Sequence, residues 1–181
     1  MDYQVANMHD DLIARCREGD RHAFKRLYDL YSKAMYNVAY RITADQDDAN
    51  DVLQEAFISA FGHLDSYRGD ATFGSWLKRI VVNKAINLIR KRKEERLDEN
   101  DEPDIADEPE IEVEVDDQTV ERVKSAIRQL PEGYRTVLSL YLIEGYDHQE
   151  ISEILSVSVS TSKSQLNRAR NKLKEILTSA P

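Results

Sequence analysis

Thr161, Ser164, Gln165, Arg168 and Lys172 recur at helical spacing, each three or four residues from another of the set. That spacing gathers hydroxyl, amide and cationic donors on one side of a helix, and no acid joins them before Glu175. Such a set forms no covalent intermediate, but it can bond base edges and neutralise phosphates. Arg79, Asn83, Asn87 and Arg90 make a second polar stripe, which ends in the basic run Arg90-Lys91-Arg92-Lys93. Cations in a last helical turn suit the macrodipole. Four in succession exceed that need and fit phosphate contact. Aromatic residues lie close by, and rings beside cations suit unstacked single-stranded bases. Of these, Phe73 and Trp76 are expected in the core, which leaves Tyr67, in a polar loop, as the candidate stacking ring. The four histidines, His9, His22, His63 and His148, are scattered. There is no H-E-x-x-H, no Gly-rich phosphate loop and no G-x-S-x-G. The expectation is therefore a binding protein and not an enzyme, with no catalytic residues, no metal, no cofactor and no small-molecule substrate.

The first donor set needs a scaffold, and Tyr146–Leu177 supplies one. Asp147 can cap a short helix, with Glu150 closing a capping box. Ile151, Ile154 and Leu155 give that helix an apolar stripe. The Ser-rich, β-branched segment 156–159 should break it, and Ser160 or Thr161 can cap a second helix. Leu166, Ala169, Leu173, Ile176 and Leu177 are the second helix's apolar side. This is the helix-turn-helix pattern, whose second helix enters a DNA major groove. An ordinary helical hairpin with a solvated face would look the same.

Upstream, residues 10–18 read as a short helix stopped by Gly19. Asp20 caps a long helix with the stripe Ala23, Phe24, Leu27, Tyr31, Ala34, Val38 and Ile42. A third helix starts near Asp47 with Ala49, Val52, Leu53, Ala56, Phe57 and Ala60 inward. Asp48, Asp51, Gln54 and Glu55 are assigned to its outer face. Periodicity alone leaves those acids as either a solvated surface or a docking face for a basic partner. His63 to Thr72 reads as a loop. The next helix, 73–93, carries Phe73, Trp76, Leu77, Ile80, Val81 and Leu88 on one apolar side and Val82, Ile86 and Ile89 on another. Residues 120–130 and 131–145 give two more helices, the last with the stripe Tyr134, Val137, Leu138, Tyr141 and Leu142. No strand is expected.

Charge separates the two halves. The chain has 181 residues and a net charge of -9. Residues 1–93 hold 15 Lys+Arg against 13 Asp+Glu, residues 94–121 hold 1 against 15, and residues 122–181 hold 9 against 6. All the net acidity sits in one internal block with Pro103 and Pro109 and no aromatic residue. It is expected to be a flexible linker, spanning roughly 30 Å as a random coil. The fold class is then all-α: a domain over 1–93, an acidic linker over 94–121 and a helix-turn-helix domain over 122–181. The lone Cys16 reads as a small buried apolar residue. With no apolar run near 18 residues and no signal-peptide pattern, a cytoplasmic protein outside the membrane is expected.

In this order and spacing, five segments resemble a bacterial RNA polymerase sigma factor of the extracytoplasmic-function group. They are GDRHAFKRLYDLY, DDANDVLQEAFISAF, GDATFGSWLKRIVVNKAINLIRKRK, LPEGYRTVLSLYLIEGYDHQEISEIL and STSKSQLNRARNKL. The resemblance covers about residues 10–93 and 120–177. It implies an alternative sigma factor with a region 2 domain and a region 4 domain. It implies docking of Asp48, Asp51, Gln54 and Glu55 on the clamp of the largest polymerase subunit, and of the second domain on the flap. The loop before Phe73, with Tyr67, would capture a base of the -10 element, while Arg79, Asn83, Asn87 and Arg90 read and melt it. Ser160, Thr161, Lys163, Ser164, Gln165 and Arg168 would read the -35 element. The implied partners are core RNA polymerase, promoter DNA and an anti-sigma factor. A stand-alone helix-turn-helix regulator is the alternative. Four positions depart from the family's pattern. Asn87 stands where Asp is frequent, Ser156 and Ser160 where Gly is common, and Gln165 where Arg is frequent.

Overall fold

The structure, a computed structural model, describes residues 2–95 and 117–179, with side chains over 9–95 and 120–178. The bulk of the acidic block, residues 96–116, lies outside the described residues, as does the coil expected there. The fold is all-α, with two small helical domains and no strand among the described residues. Two compact units divide the chain, Met1–Lys91 and Arg92–Pro181.

The first unit contains α1 (Asp2–Arg17), α2 (Arg21–Thr43), α3 (Gln46–Gly62), a single 3-10 turn (Leu64–Ser66) and α4 (Phe73–Glu95). Helix α1 begins eight residues before the expected start at residue 10. Leu12, Ile13 and Cys16 pin it to the core, and burial pushes the Cys16 thiol up to about 11. Asp20 caps α2, its carboxylate accepting the His22 amide at 2.8 Å and two N–H groups of Arg15 at 3.0 and 2.7 Å. The Arg15 bonds and the His22 amide hold Asp20 below the usual carboxylate range. The cap is therefore fully present above that range and lost only as pH falls through the depressed value.

The buried side of α2 is Ala23, Leu27, Met35, Val38, Ala39, Ile42 and Thr43. Ala34, expected inside, is exposed, and Met35 takes its place. The apolar row follows steps of four residues from Leu27 through Tyr31 to Met35, and the small Ala34 falls beside it. In α4 the buried residues are Phe73, Leu77, Val81, Val82, Ala85 and Ile86. Trp76, Ile80, Leu88 and Ile89, expected inside, are only half-buried. At Gly74 of α4 a Cβ would lie 3.0 Å from Tyr31 Cε1 of α2.

The second unit contains α5 (Asp117–Gln129), α6 (Glu132–Leu138), a π-helical turn (Ser139–Ile143), α7 (His148–Leu155) and α8 (Val159–Ser179). Helix α8 packs against α5, α6 and α7. The π turn overturns part of the expected stripe. Glu144 N–H bonds Ser139 O at 3.0 Å, five residues back, so the turn holds one residue more than an α-turn. Side chains after it rotate out of phase. Ser139 and Leu140 go inward, while Leu142, expected inside, is 50 % exposed. Gly145, at φ +80, then ends the segment in the left-handed conformation that glycine adopts at little cost. Arg135 is buried and donates to Leu130 O at 3.0 Å, closing the turn between α5 and α6. Burial lowers its pKa, against the opposing pull of Glu132.

Ala44 closes α2 at φ 55, a left-handed conformation without glycine's freedom. Ala44→Gly should therefore stabilise the N-terminal unit by about 0.5–1 kcal/mol, read as a higher urea midpoint at unchanged slope.

Candidate nucleic-acid interface

The helix-turn-helix forms as its caps dictate. Asp147 Oδ1 accepts the Glu150 amide at 2.8 Å, and Glu150 Oε2 accepts the Asp147 amide at 2.9 Å, completing the capping box. Ser156, at φ 56 and ψ 44, is the left-handed C-cap of α7. This is the strained serine that the Gly-for-Ser departure raised. Ser160, the other position, lies inside α8 and carries no such strain. The cap of α8 is Ser158, whose Oγ accepts the Thr161 amide at 3.0 Å. Ser160 and Thr161 instead bond that hydroxyl from within the first turn, each at 2.8 Å. The second helix thus starts two to three residues earlier than a cap at Ser160 or Thr161 would place it.

Beyond the caps, one contact fixes the angle between α7 and α8. His148 Nδ1 lies 2.9 Å from Ser162 Oγ, and the Ser162 side chain is fully buried. The His148 ring also stacks on Tyr141 with centroids 4.6 Å apart. His148 therefore joins the π turn, α7 and α8. Sequence reading passed over it, because a His in the first turn of a polar segment has no periodic signature.

On α8, Ser160, Lys163 and Ser164 are exposed, and Thr161, Gln165 and Arg168 are half-buried. Ser160, Ser164 and Arg168 are each four residues apart and share one face. Thr161 and Gln165 flank them, and Lys163 stands on the other flank. Ser164 Oγ donates to Thr161 O at 3.0 Å, which leaves its lone pairs outward. Arg168 Nε is buried with no hydrogen-bond partner. Lys172 is drawn to Glu175 at 2.8 Å, and its pKa is raised by that bond.

In the first unit, Arg79, Asn83, Asn87 and Arg90 are all exposed along one face of α4. Thr72 Oγ1 accepts the Ser75 amide at 3.2 Å and caps the helix. Trp76 belongs to the same face, three residues before Arg79. It is half-buried, 5.4 Å from Tyr67 and 5.6 Å from Phe73 between centroids. Its position over the stripe, at helical spacing, is the signal that could have marked it. Tyr67 is more anchored than a loop position suggests. Its ring meets Phe73 edge-on at 5.7 Å and its hydroxyl donates to Ala71 O at 2.8 Å. Burial, then the charge of Asp10, raises the Tyr67 pKa, so it stays a neutral phenol.

The acidic face of α3 is smaller than expected. Asp48 is 8 % exposed and not on the outer face. It lies one turn before the buried Val52 and so points with the core, at the helix end where the macrodipole favours a carboxylate. Asp51, Gln54 and Glu55 are exposed. Ile58 completes their face and is 73 % exposed. Glu55 pairs with Lys84 of α4 at 3.4 Å, a surface contact of small energetic weight. Among the described residues no group of His, Cys, Asp and Glu could hold a metal ion, and no helix is long and apolar enough to cross a membrane.

Comparisons with known proteins meet this geometry at both ends. The Sigma-70 region 2 family matches residues 27–95, and the Sigma-70, region 4 family matches residues 120–173. The ECF RNA polymerase sigma factor SigW of Bacillus subtilis is 33 % identical over 177 residues, covering 91 % of this chain and 94 % of its own. The RNA polymerase sigma-H factor of Pseudomonas aeruginosa is 32 % identical over 178 residues, covering 92 % of each. The sigma factor RpoE of Bartonella quintana, solved with the anti-sigma factor NepR, superposes at TM-score 0.57 with 26 % identity, over 87 % of this chain and 98 % of that one. CnrH, solved with the cytosolic domain of CnrY, superposes at 0.55 with 29 % identity, over 94 % and 97 %.

Removing the His148 imidazole leaves the Ser162 hydroxyl buried without its partner. His148→Ala should destabilise the C-terminal domain by about 1–3 kcal/mol, read as a lower thermal midpoint. Ser156→Gly should raise the same midpoint.

Proposed function

The chain belongs to the sigma-70 family of RNA polymerase sigma factors, in its extracytoplasmic-function group, and from that premise we propose how its two domains divide the work. As an alternative sigma factor it binds core RNA polymerase and directs promoter-specific initiation. The N-terminal domain docks on the clamp of the largest subunit through Asp51, Gln54 and Glu55. Ile58, bare at the C-terminal end of that face, is the apolar anchor such interfaces need. Asp48 serves from behind, as a buried residue at the start of the same helix. The C-terminal domain meets the flap.

Along α4, Arg79 and Arg90 hold phosphates, while Asn83 and Asn87 bond the edges of unstacked bases. Asn87 offers both a donor and an acceptor where a carboxylate would only accept. The arch Arg68–Thr72 receives the base extruded from the -10 element, over the Tyr67 and Trp76 rings. The C-terminal domain sets α8 in the major groove of the -35 duplex. Ser160, Thr161 and Lys163 contact the backbone, and Ser164, Gln165 and Arg168 reach base edges. Gln165 suits adenine, which it can bond through two atoms. Melting costs a few kcal/mol of unstacking, which base capture and phosphate contacts offset. No covalent step is assigned to the chain. It acts with polymerase in the cytoplasm, on DNA and protein and not on a small substrate.

One observation supports this division above the others. A single chain carries both a helix-turn-helix with donors on its outer helix face and a separate exposed Arg/Asn stripe on α4. A stand-alone duplex-binding regulator would leave the α4 stripe and the Ile58 face without work. One of the similar structures is a sigma factor bound to an anti-sigma factor, and a protein antagonist of that kind is proposed here too.

Arg168→Ala should weaken -35 duplex binding by about 1–3 kcal/mol, measured by fluorescence anisotropy with holoenzyme. Unchanged affinity at physiological salt would contradict the groove assignment. Reversing charge at Asp51 and Glu55, or Ile58→Ala, should lower affinity for core polymerase about tenfold and leave duplex binding by the free factor unaltered.

A further inference from the structure

Helix α1 takes no part in the contacts proposed so far, yet its last residue is fastened to the loop that precedes α4. Arg17 Nη2 donates to Tyr67 O at 2.6 Å and to Leu64 O at 3.4 Å. Its Nε lies 3.9 Å from Asp65 Oδ1. The two carbonyls bracket the 3-10 turn Leu64–Ser66, whose last bond is Tyr67 N–H to Leu64 O at 3.1 Å. Arg17 thus grips the carbonyl end of the turn, where partial negative charge collects and where a cation is favoured.

Both ends of this contact are rigid. Leu12, Ile13 and Cys16 are buried, so the last turn of α1 cannot drift. Leu64 is buried beneath the 3-10 turn. Tyr67 carries the constraint onward, because its ring is wedged on Phe73 and Trp76 and its hydroxyl holds Ala71 O. Between Tyr67 and Thr72 the arch Arg68–Thr72 is exposed throughout. An arch whose two feet are tied through one tyrosine keeps its shape only if that tyrosine's backbone stays put. Arg17 is the side chain that holds it.

We propose that Arg17 is a positioning residue for promoter melting. By clamping the Leu64 and Tyr67 carbonyls it keeps the Arg68–Thr72 arch in the form that receives an extruded base. This rests on the reading of the arch as the base-receiving element. The gain is pre-organisation. A loose arch loses backbone freedom at every residue when a base binds, and an arch already ordered has little left to lose. A lysine would keep the charge but not the fork, so it could not serve two carbonyls and Asp65 from one plane.

The full chain tests this in two arms, with Arg17→Ala and Arg17→Lys beside the unaltered protein. The first arm is amide hydrogen exchange in the free factor. Both variants should exchange about tenfold faster across 64–72, the effect of losing one charged hydrogen bond, with α2 and α3 unchanged. The second arm uses holoenzyme on a promoter that the unaltered factor selects from a random library. Permanganate reactivity of the melted strand should fall, and discrimination between bases at the captured -10 position should relax, with core affinity preserved. Unchanged exchange across 64–72 in Arg17→Lys, the variant that keeps stem and charge, overturns the clamp whatever the promoter does. Faster exchange with base discrimination intact overturns the positioning role in melting and leaves the clamp as a feature of folding alone, without touching the reading of the arch.

Discussion

The N-terminal domain depends on a chain of ring contacts that begins at Tyr31. The Tyr31 hydroxyl meets His9 Nδ1 at 2.9 Å, and its ring meets Phe73 edge-on at 5.3 Å. Phe73 in turn touches Tyr67 and Trp76. Four stretches of chain, α1, α2, the loop and α4, therefore converge on one aromatic node. Edge-to-face pairs of this kind contribute about 0.5–1.5 kcal/mol each beyond the area they bury, and they fix orientation as well as distance. Gly74 is the position that admits the node, because any side chain there would press on Tyr31. The polar stripe of α4 starts one turn beyond it. The aromatic node thus helps set its placement relative to the arch.

The C-terminal domain solves the same problem with polar atoms. A buried guanidinium, Arg135, holds the carbonyl that ends α5, and an imidazole, His148, holds a buried hydroxyl of α8. Arg17 in the other domain works as Arg135 does, by donating to carbonyls at the end of a helical turn. Leaving the Leu130 carbonyl or the buried Ser162 hydroxyl unpaired would cost more than the bond itself contributes, which makes each a strong constraint on geometry. The orientation of α8 is set from its inner side, so residues on its outer face are free to vary without disturbing the fold.

Much of this was legible in the residues. The capping box at Asp147, the cap at Asp20, the stop at Gly19 and the polar stripe of α4 follow from local chemistry that no distant contact overrides. The misreadings share a different cause. Ala34 against Met35, and Asp48 against the outer face, hinge on a rotation of less than one residue about the helix axis, which average periodicity does not resolve. Leu142 was misplaced because the π turn inserts a residue, and no composition signal announces such a turn in Ser-Leu-Tyr-Leu-Ile. Trp76 looked like core because tryptophan is apolar, yet a large ring can be anchored at one edge and bare at the other. The ties made by Arg17 and His148 join residues 50 and 14 positions apart. Sequence without alignment gives no hint of such pairs.

The proposed function joins two weak readers through a third body. In that proposal duplex contacts through α8 and single-strand contacts through α4 each carry limited specificity. Core polymerase would supply the fixed separation that lets both act at once, and joint binding raises avidity without new contacts. The acidic block between the domains accounts for the chain's whole net negative charge, so the overall -9 says little about either DNA-facing half. Transcription in vitro from a random genomic library, with purified core polymerase and this chain as the only added factor, is the most direct test. The expected result is initiation from a small set of sites that share two sequence elements at one fixed spacing. Duplex binding by the chain with no start site above core polymerase alone would contradict it.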